Sequence, residues 1–336
     1  SGFCRRAGIL KCFLRRANHG MRIIRNRPGQ DEGTYVPEGS VVTIGNFDGL
    51  HLGHLALVER CRALATAEQR IAVVTFEPLP AAFFTPEKAP SRLNTVYRKM
   101  RIFRTLGVEM TWLMRFDARF AALSARGFVE QVLVKGLNAK TVVVGHDFRF
   151  GAGKEGDIHM LAELGEEFGF REEIVQPVTL DGHRVSSSGV RERLNAGDFE
   201  AAATWLGRPF RMGGHVVYGQ ALGRKLGYPT ANLRIRSEPS PLTGVLATWA
   251  RIEDGPWLPS VSNLGRRPVV GGREPLLEVH FFDFDEDIYG KRLDVQFVAK
   301  LRNELNFDSL DELVEQMKRD ETSARAILAA SEKPDD

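Results

Sequence analysis

Five β-prone, apolar-rich runs recur through the first half of the chain, at 41–47 (VVTIGNF), 71–78, 110–116, 141–148 and 171–178. Between them, apolar residues return every three or four positions. In 54–65 they are Leu55, Leu57, Val58, Cys61 and Leu64, and 92–107, 125–137 and 159–170 follow the same spacing. Buried strands separated by amphipathic helices predict a parallel sheet covered on both faces, a doubly wound α/β domain. The opening MRIIRN (21–26) reads as an edge strand. Such sheets bind ligands beyond the carboxyl ends of their strands. The loops 45–54 and 145–157 both follow strands, which puts them on one rim.

The pattern changes near residue 200. GDFEAAATWLGRPF (197–210) predicts a short helix and a linker. After it come short β-like runs divided by Gly and Pro: GGHVVYG, YPTANLRI, GVLATWARI, SVSNLG, LEVHFFDF and RLDVQFVAKL. Regular short strands with turn residues between them predict a closed antiparallel β-barrel. A last helix is predicted over 309–329, with Ser309 as its N-cap. The expected organisation is a leader at 1–20, an α/β domain at 21–203 and a barrel domain with a terminal helix at 204–332.

Composition narrows the function classes. With 336 residues, 43% hydrophobic and 26% charged, the chain has enough apolar residues for two cores. No apolar run reaches the ~20 residues that span a bilayer, so no membrane partner is expected. Residues 1–30 carry eight Lys/Arg and no acid, and leaving them out takes the net charge from +3 to −5. A mildly acidic body is not a nucleic-acid surface. The basic leader reads as a transit peptide, a basic arm, or a disordered stretch ahead of a true start at Met21. Cys4, Cys12 and Cys61 form neither a CxxC pair nor an even framework, which fits a reducing, cytoplasmic setting. The sequence carries no signal for oligomeric state.

The chemistry is concentrated in a few motifs. VVTIGNFDGLHLGH (41–54) runs from a strand through a glycine turn into a helix start, with His51 and His54 at the mouth. Helix N-termini attract phosphate because their first N–H groups are unpaired and their peptide dipoles add. Histidines beside them donate hydrogen bonds to phosphoryl oxygens as charge builds. Read alone, the pair also fits a metal site or buried core histidines. VSSSGVRERL (185–194) is compatible with a plain N-cap. GAGKEG (151–156) is not a P-loop, because Glu155 stands where Ser or Thr would follow the lysine. In the second half, GHVVYGQALGRKLGYPTANL (214–233) has glycines that admit close backbone approach to phosphate. Thr230 and Asn232, two apart, would point the same way on a strand and present oxygen ligands suited to Mg²⁺. Glu278 alternates with apolar neighbours and fits either a general base or a solvent-facing strand residue.

From about residue 21 to the end, these motifs together resemble prokaryotic bifunctional riboflavin kinase/FAD synthetases: IGNFDGLHLGH, VVVGHDFRFGAGKEGD, VSSSGVRERL and GRKLGYPTANL stand in that family's order. The resemblance implies a kinase that makes FMN from riboflavin and ATP in the barrel domain. It also implies an adenylyltransferase that makes FAD and pyrophosphate from FMN and a second ATP in the α/β domain. The small-molecule substrates would be ATP, riboflavin and FMN, with Mg²⁺ on the phosphates. His51 and His54 would hold ATP phosphates, Gly45, Phe47 and Asp48 would shape the nucleotide pocket, and Ser187, Ser188 and Arg191 would clamp phosphates. Asp147, Phe148 and Phe150 would lie on the FMN side. In the kinase, Gly219, Gly223, Arg224 and Gly227 would cradle ATP, with Thr230 and Asn232 on the metal. Glu278 would be the catalytic base, and Asn263, Arg302 and Phe307 would surround the flavin. Leu79 departs from the family, whose members usually carry histidine there, which removes a polar contact near the nucleotide. The alternatives are a kinase with a silent adenylyltransferase half, a nucleotidyltransferase for another phosphorylated acceptor, and a flavin-binding module with dead sites.

Overall fold

The computed structural model describes residues 20–29, 34–219, 223, 226–235, 240–269 and 272–335. The leader expected at 1–20 lies outside them apart from Gly20. The chain divides into two compact units, Ser1–Pro90 with Asn94–Val185, and Ser91–Leu93 with Ser186–Asp336.

The first unit runs β1 (Arg22–Ile24), β2 (Ser40–Ile44), α1 (Leu52–Leu64), β3 (Arg70–Glu77), α2 (Pro80–Phe84), α3 (Val96–Thr105), β4 (Met110–Arg115), α4 (Ala118–Ala121), α5 (Ala125–Phe128), β5 (Ala139–Gly145), α6 (Ile158–Phe168) and β6 (Arg171–Val175). A two-stranded hairpin, β7 (Thr179–Leu180) and β8 (His183–Arg184), closes it. The sheet order is β1-β4-β3-β2-β5-β6 and every pairing is parallel. Alternate strand residues explain the double winding. Val42, Val74, Trp112 and Val142 join Phe128, Val132, Leu133 and Leu161 in one core. Val41, Val73 and Val143 join Leu57, Val58, Met100 and Phe103 of α1 and α3 in the other. MRIIRN does form the edge strand. The helix expected over 125–137 is split: α5 passes into a π-helical stretch, Val129–Gly136.

In that order β2 is flanked by β3 on one side and β5 on the other, so the order in which strands are added reverses between β2 and β5. The loops leaving β2 and β5 therefore share a rim at the switch point, where open α/β sheets take ligands.

The second unit begins with α7 (Ser187–Ala196) and α8 (Phe199–Leu206), packed through Gly189 on Trp205. It continues with β9 (Arg211–Val217), β10 (Ala231–Arg234), β11 (Gly244–Ile252), β12 (Trp257–Val269), β13 (Gly272–Phe281) and β14 (Arg292–Arg302), and ends in α9 (Leu310–Ala330). These strands close an antiparallel barrel in the order β10-β13-β12-β11-β14-β9. Leu233, Leu246, Leu264, Leu277 and Val279 fill it and are inaccessible to solvent. Ser309 caps α9 by accepting from Glu312 N–H, and Ala324 and Leu328 of α9 pack on Trp249 and Trp257 outside the wall.

Candidate active sites

In the first unit the chain leaves β2 through a tight turn in which Phe47 (φ 48°), Gly49 (φ 84°) and Leu50 (φ 50°) are all left-handed. Non-glycine residues there carry strain of roughly 1–3 kcal/mol each and persist only where packing over-determines them. Phe47 is fully buried, with its ring 5.3 Å from Phe103 and 5.1 Å from His54. Asp48 is buried and accepts Asn94 N–H at 3.3 Å. His51 is the N-cap of α1, and its ring stacks on His54 with centroids 3.8 Å apart at 21°. Gly53 makes that possible: a Cβ there would stand 3.1 and 3.2 Å from His51 ring atoms. The first turn of α1 carries no acidic residue, and the unpaired N–H groups of a helix start attract anions.

The loop after β5 brings the second group of expected residues. Phe148 stacks on Phe150 at 5.4 Å and 13°. Burial works to raise the Asp147 carboxyl, but the Arg184 guanidinium, 2.5 Å away, holds it below the usual carboxylate range. Glu155 accepts Ala125 N–H at 2.7 Å, so the residue that breaks the P-loop pattern pins its loop to α5. Ring contacts run continuously from Phe150 through Phe128, Phe120 and Phe116 to Phe83 and Phe84, and Phe84 is 61% exposed. Sequence reading missed Phe83 and Phe84, although two adjacent aromatics in the segment between two strands were the available signal. Leu79, just ahead of them, is buried.

Ser187, Ser188 and Arg191 sit on α7, in the second unit. Ser186, not singled out from sequence, is the N-cap and accepts from Gly189 N–H. The neighbouring serines are thus left in the first turn, and Arg191 Nε donates to Ser91 O at 2.6 Å.

In the barrel, one transverse row joins most of the expected residues. Asn232 of β10 is in register with Glu278 of β13, which is in register with Asn263 of β12. The row continues through Val245 of β11 to Arg302 of β14. Directly opposed residues share a face, and this face is the outer one, because the alternate set fills the barrel. Helix α9 covers it with Leu313, Met317 and Asp320, which leaves a cavity of about 300 Å³. Gly223, Thr230, Asn263, Glu278, Arg302 and Phe307 all line it. Thr230 precedes β10 instead of lying on it, so it and Asn232 do not share a strand face as the spacing suggested. It also borders a smaller cavity of about 50 Å³ with Pro229 and Tyr289. Asn232 is buried and its Nδ2 donates to Thr230 O at 3.3 Å, which leaves the amide oxygen as the end offered to a cation. Gly219 lies against that amide, where a Cβ would overlap it. Gly223 O accepts both Leu226 and Tyr228 N–H, and Gly227 is left-handed at φ 84°. Arg224 lies outside the described residues.

Two residues join this site that sequence reading did not assign. Asp320 holds Arg302 in a fork, with Nε and Nη2 donating at 2.7–3.1 Å, and Gln316 braces it from one helical turn away. His280 lines the cavity two residues beyond Glu278, and its Nδ1 lies 2.9 Å from Pro229 O, which ties β13 to the PTAN turn.

Comparison with known proteins identifies the family. The family model described as FAD synthetase matches residues 34–189, and the one described as riboflavin kinase matches residues 206–328. The bifunctional riboflavin kinase/FMN adenylyltransferase of Escherichia coli K12 is 44% identical over 292 residues, covering 87% of this chain and 93% of its own. Its counterpart in Pseudomonas fluorescens is 45% identical over 296 residues, covering 87% and 94%. A crystal structure described as a macrolide-efflux protein from Streptococcus pneumoniae superposes with a TM-score of 0.75 at 32% identity, covering 91% of this chain and 99% of that one. Among the described residues here, no helix is long and apolar enough to cross a membrane. Two domain families in the same order, with relatives matched along nearly their full length, place this chain in the bifunctional riboflavin kinase/FMN adenylyltransferase family.

Proposed function

We propose that this chain makes FMN from riboflavin and ATP at the barrel cavity, and FAD from FMN and a second ATP at the β2–α1 mouth. The observation that carries the reading is the barrel row, in which a carboxylate stands between two amides beside a cavity of about 300 Å³. Pockets for small organic ligands start near that size. Phe307, Leu305 and Met317 supply apolar walls for the flat flavin ring. Glu278 takes the proton of the ribityl 5′-hydroxyl as that oxygen attacks the γ-phosphorus and ADP leaves. Thr230 and Asn232 offer the oxygen ligands that Mg²⁺ prefers. When bound, the ion neutralises the phosphate charge, and the protein's part is to aim the reacting oxygens.

In the α/β unit an FMN phosphate oxygen attacks the α-phosphorus and pyrophosphate departs. His51, His54 and the α1 N–H groups bind the charge that builds on the phosphoryl oxygens. The half-buried Phe148 and the exposed Phe84 offer stacking surface to the isoalloxazine, and Asp147 is paired to Arg184; Phe150, expected on the FMN side, is instead buried in the core behind Phe148 and only backs it. Substrates are small molecules, and the acidic body and reducing-compartment cysteine usage support a cytoplasmic enzyme without a nucleic-acid partner.

Purified protein given riboflavin, ATP and Mg²⁺ is expected to form FMN and then FAD. Failure to form either product would overturn the reading, and FMN alone would leave a kinase with a silent second half. Two variants refine it. Gly53→Ala makes the His51 ring give by a few tenths of an ångström and is expected to slow FAD formation several-fold, with FMN formation unchanged, in separate assays from FMN and from riboflavin. Asp320→Asn removes the charge that fixes Arg302, and is expected to raise the KM for riboflavin several-fold more than the KM for ATP.

A further inference from the structure

Lys99 lies in the middle of α3 and is only 1% exposed. An ammonium is rarely buried unless its donors are satisfied and its position is put to use. Here Nζ donates to Asn46 O at 2.7 Å and to Thr75 Oγ1 at 3.3 Å, and Thr75 Oγ1 itself donates to Asn46 O at 3.2 Å. Asn46 is where β2 gives way to the left-handed turn. Its carbonyl is thus tied to α3 and to β3 at once.

A second tie comes from the lead-in to the same helix, where Asn94 N–H donates to Asp48. The two ties, at 46 and 48, straddle Phe47, whose left-handed backbone sets its ring against Phe103 on one side and His54 on the other. A lysine on α3 therefore fixes the carbonyl from which the turn departs. The turn fixes Phe47, and Phe47 backs the imidazole that stacks on His51. Hydrogen bonds from a charged donor are roughly twice as strong as neutral ones. That favours Lys99 as the anchor for a backbone segment carrying two strained non-glycine residues.

We propose that Lys99 is a positioning residue for FMN adenylylation: it touches no substrate and acts by holding Asn46 O so that the turn presents His51 and His54 as a fixed pair. The assignment rests on the reading of the α/β unit as the adenylylating half. Lys99→Met keeps the stem and removes the donor, whereas Lys99→Arg keeps a donor.

The test uses the full chain in parallel with the unmodified protein. It measures FAD formation from FMN, FMN formation from riboflavin, and thermal unfolding. Lys99→Met is expected to lower kcat for FAD formation at least tenfold with the KM for ATP changed less than threefold, and to leave FMN formation within twofold. Lys99→Arg is expected to recover most of the loss. The proposal is overturned if Lys99→Met keeps FAD formation within twofold, or if Lys99→Arg is no better than Lys99→Met. It is also overturned if either variant loses the first unit's thermal transition, since Lys99 is then a folding residue. Absence of FAD formation by the unmodified protein would instead be a failure of the functional reading itself.

Discussion

Glu278→Gln is expected to abolish riboflavin phosphorylation while the same chain still converts supplied FMN to FAD. A positioned general base contributes about 10²–10⁴-fold, so kcat for FMN formation should fall by that factor. The substitution is chosen to leave everything else in place. Glutamine matches glutamate in size, and Asn232 and Asn263 on either side remain in register. The barrel interior is untouched, because the row faces away from Leu277 and Val279. The KM values for riboflavin and ATP should change little, since the carboxylate is asked to accept a proton and not to bind either ground state. Steady-state kinetics on riboflavin and, separately, on FMN check this. Equal loss of both activities would contradict two independent sites, and unchanged FMN formation would return Glu278 to being an ordinary strand residue.

The sheet and the barrel were readable from sequence for different reasons. Val41–Val42, Val73–Val74 and Val142–Val144 are apolar at consecutive positions, which only a strand buried on both faces requires. The barrel announced itself through turn residues at short, regular intervals. What failed to show was whatever depends on a partner far along the chain. Lys99 sits among Arg98, Arg101 and Arg104 and looks like one more solvent charge until α3 is docked on the sheet. Asp320 reads as an acidic residue on an exposed helix, and only the fold of α9 over β14 gives it Arg302. Thr230 lies one residue ahead of its strand, which begins at Ala231 after the Pro229 turn. The Ser186 cap was missed because three consecutive serines offer three equivalent candidates, and backbone geometry alone selects one.

His51 and His54 should each be indispensable for FAD formation, and their losses should not add. Removing one donor from a site that binds developing phosphoryl charge costs about 10²–10³-fold in kcat. His51→Ala and His54→Ala are expected to fall in that range, with FMN formation unchanged. The rings are stacked 3.8 Å apart and answer to the same turn, so they form one surface. Loss of either lets the other move, and the double variant should be only slightly worse than the worse single one, as for residues that act as a unit. The helix itself is anchored by Leu57, Val58 and Cys61, and His51 makes no side-chain cap bond. His54→Asn retains an N–H donor against Phe47 and should recover part of the rate, which a purely packing role would not predict. Additive losses would mean that the two histidines serve separate phosphates, and unchanged FAD formation in both single variants would remove the β2–α1 mouth from the reaction.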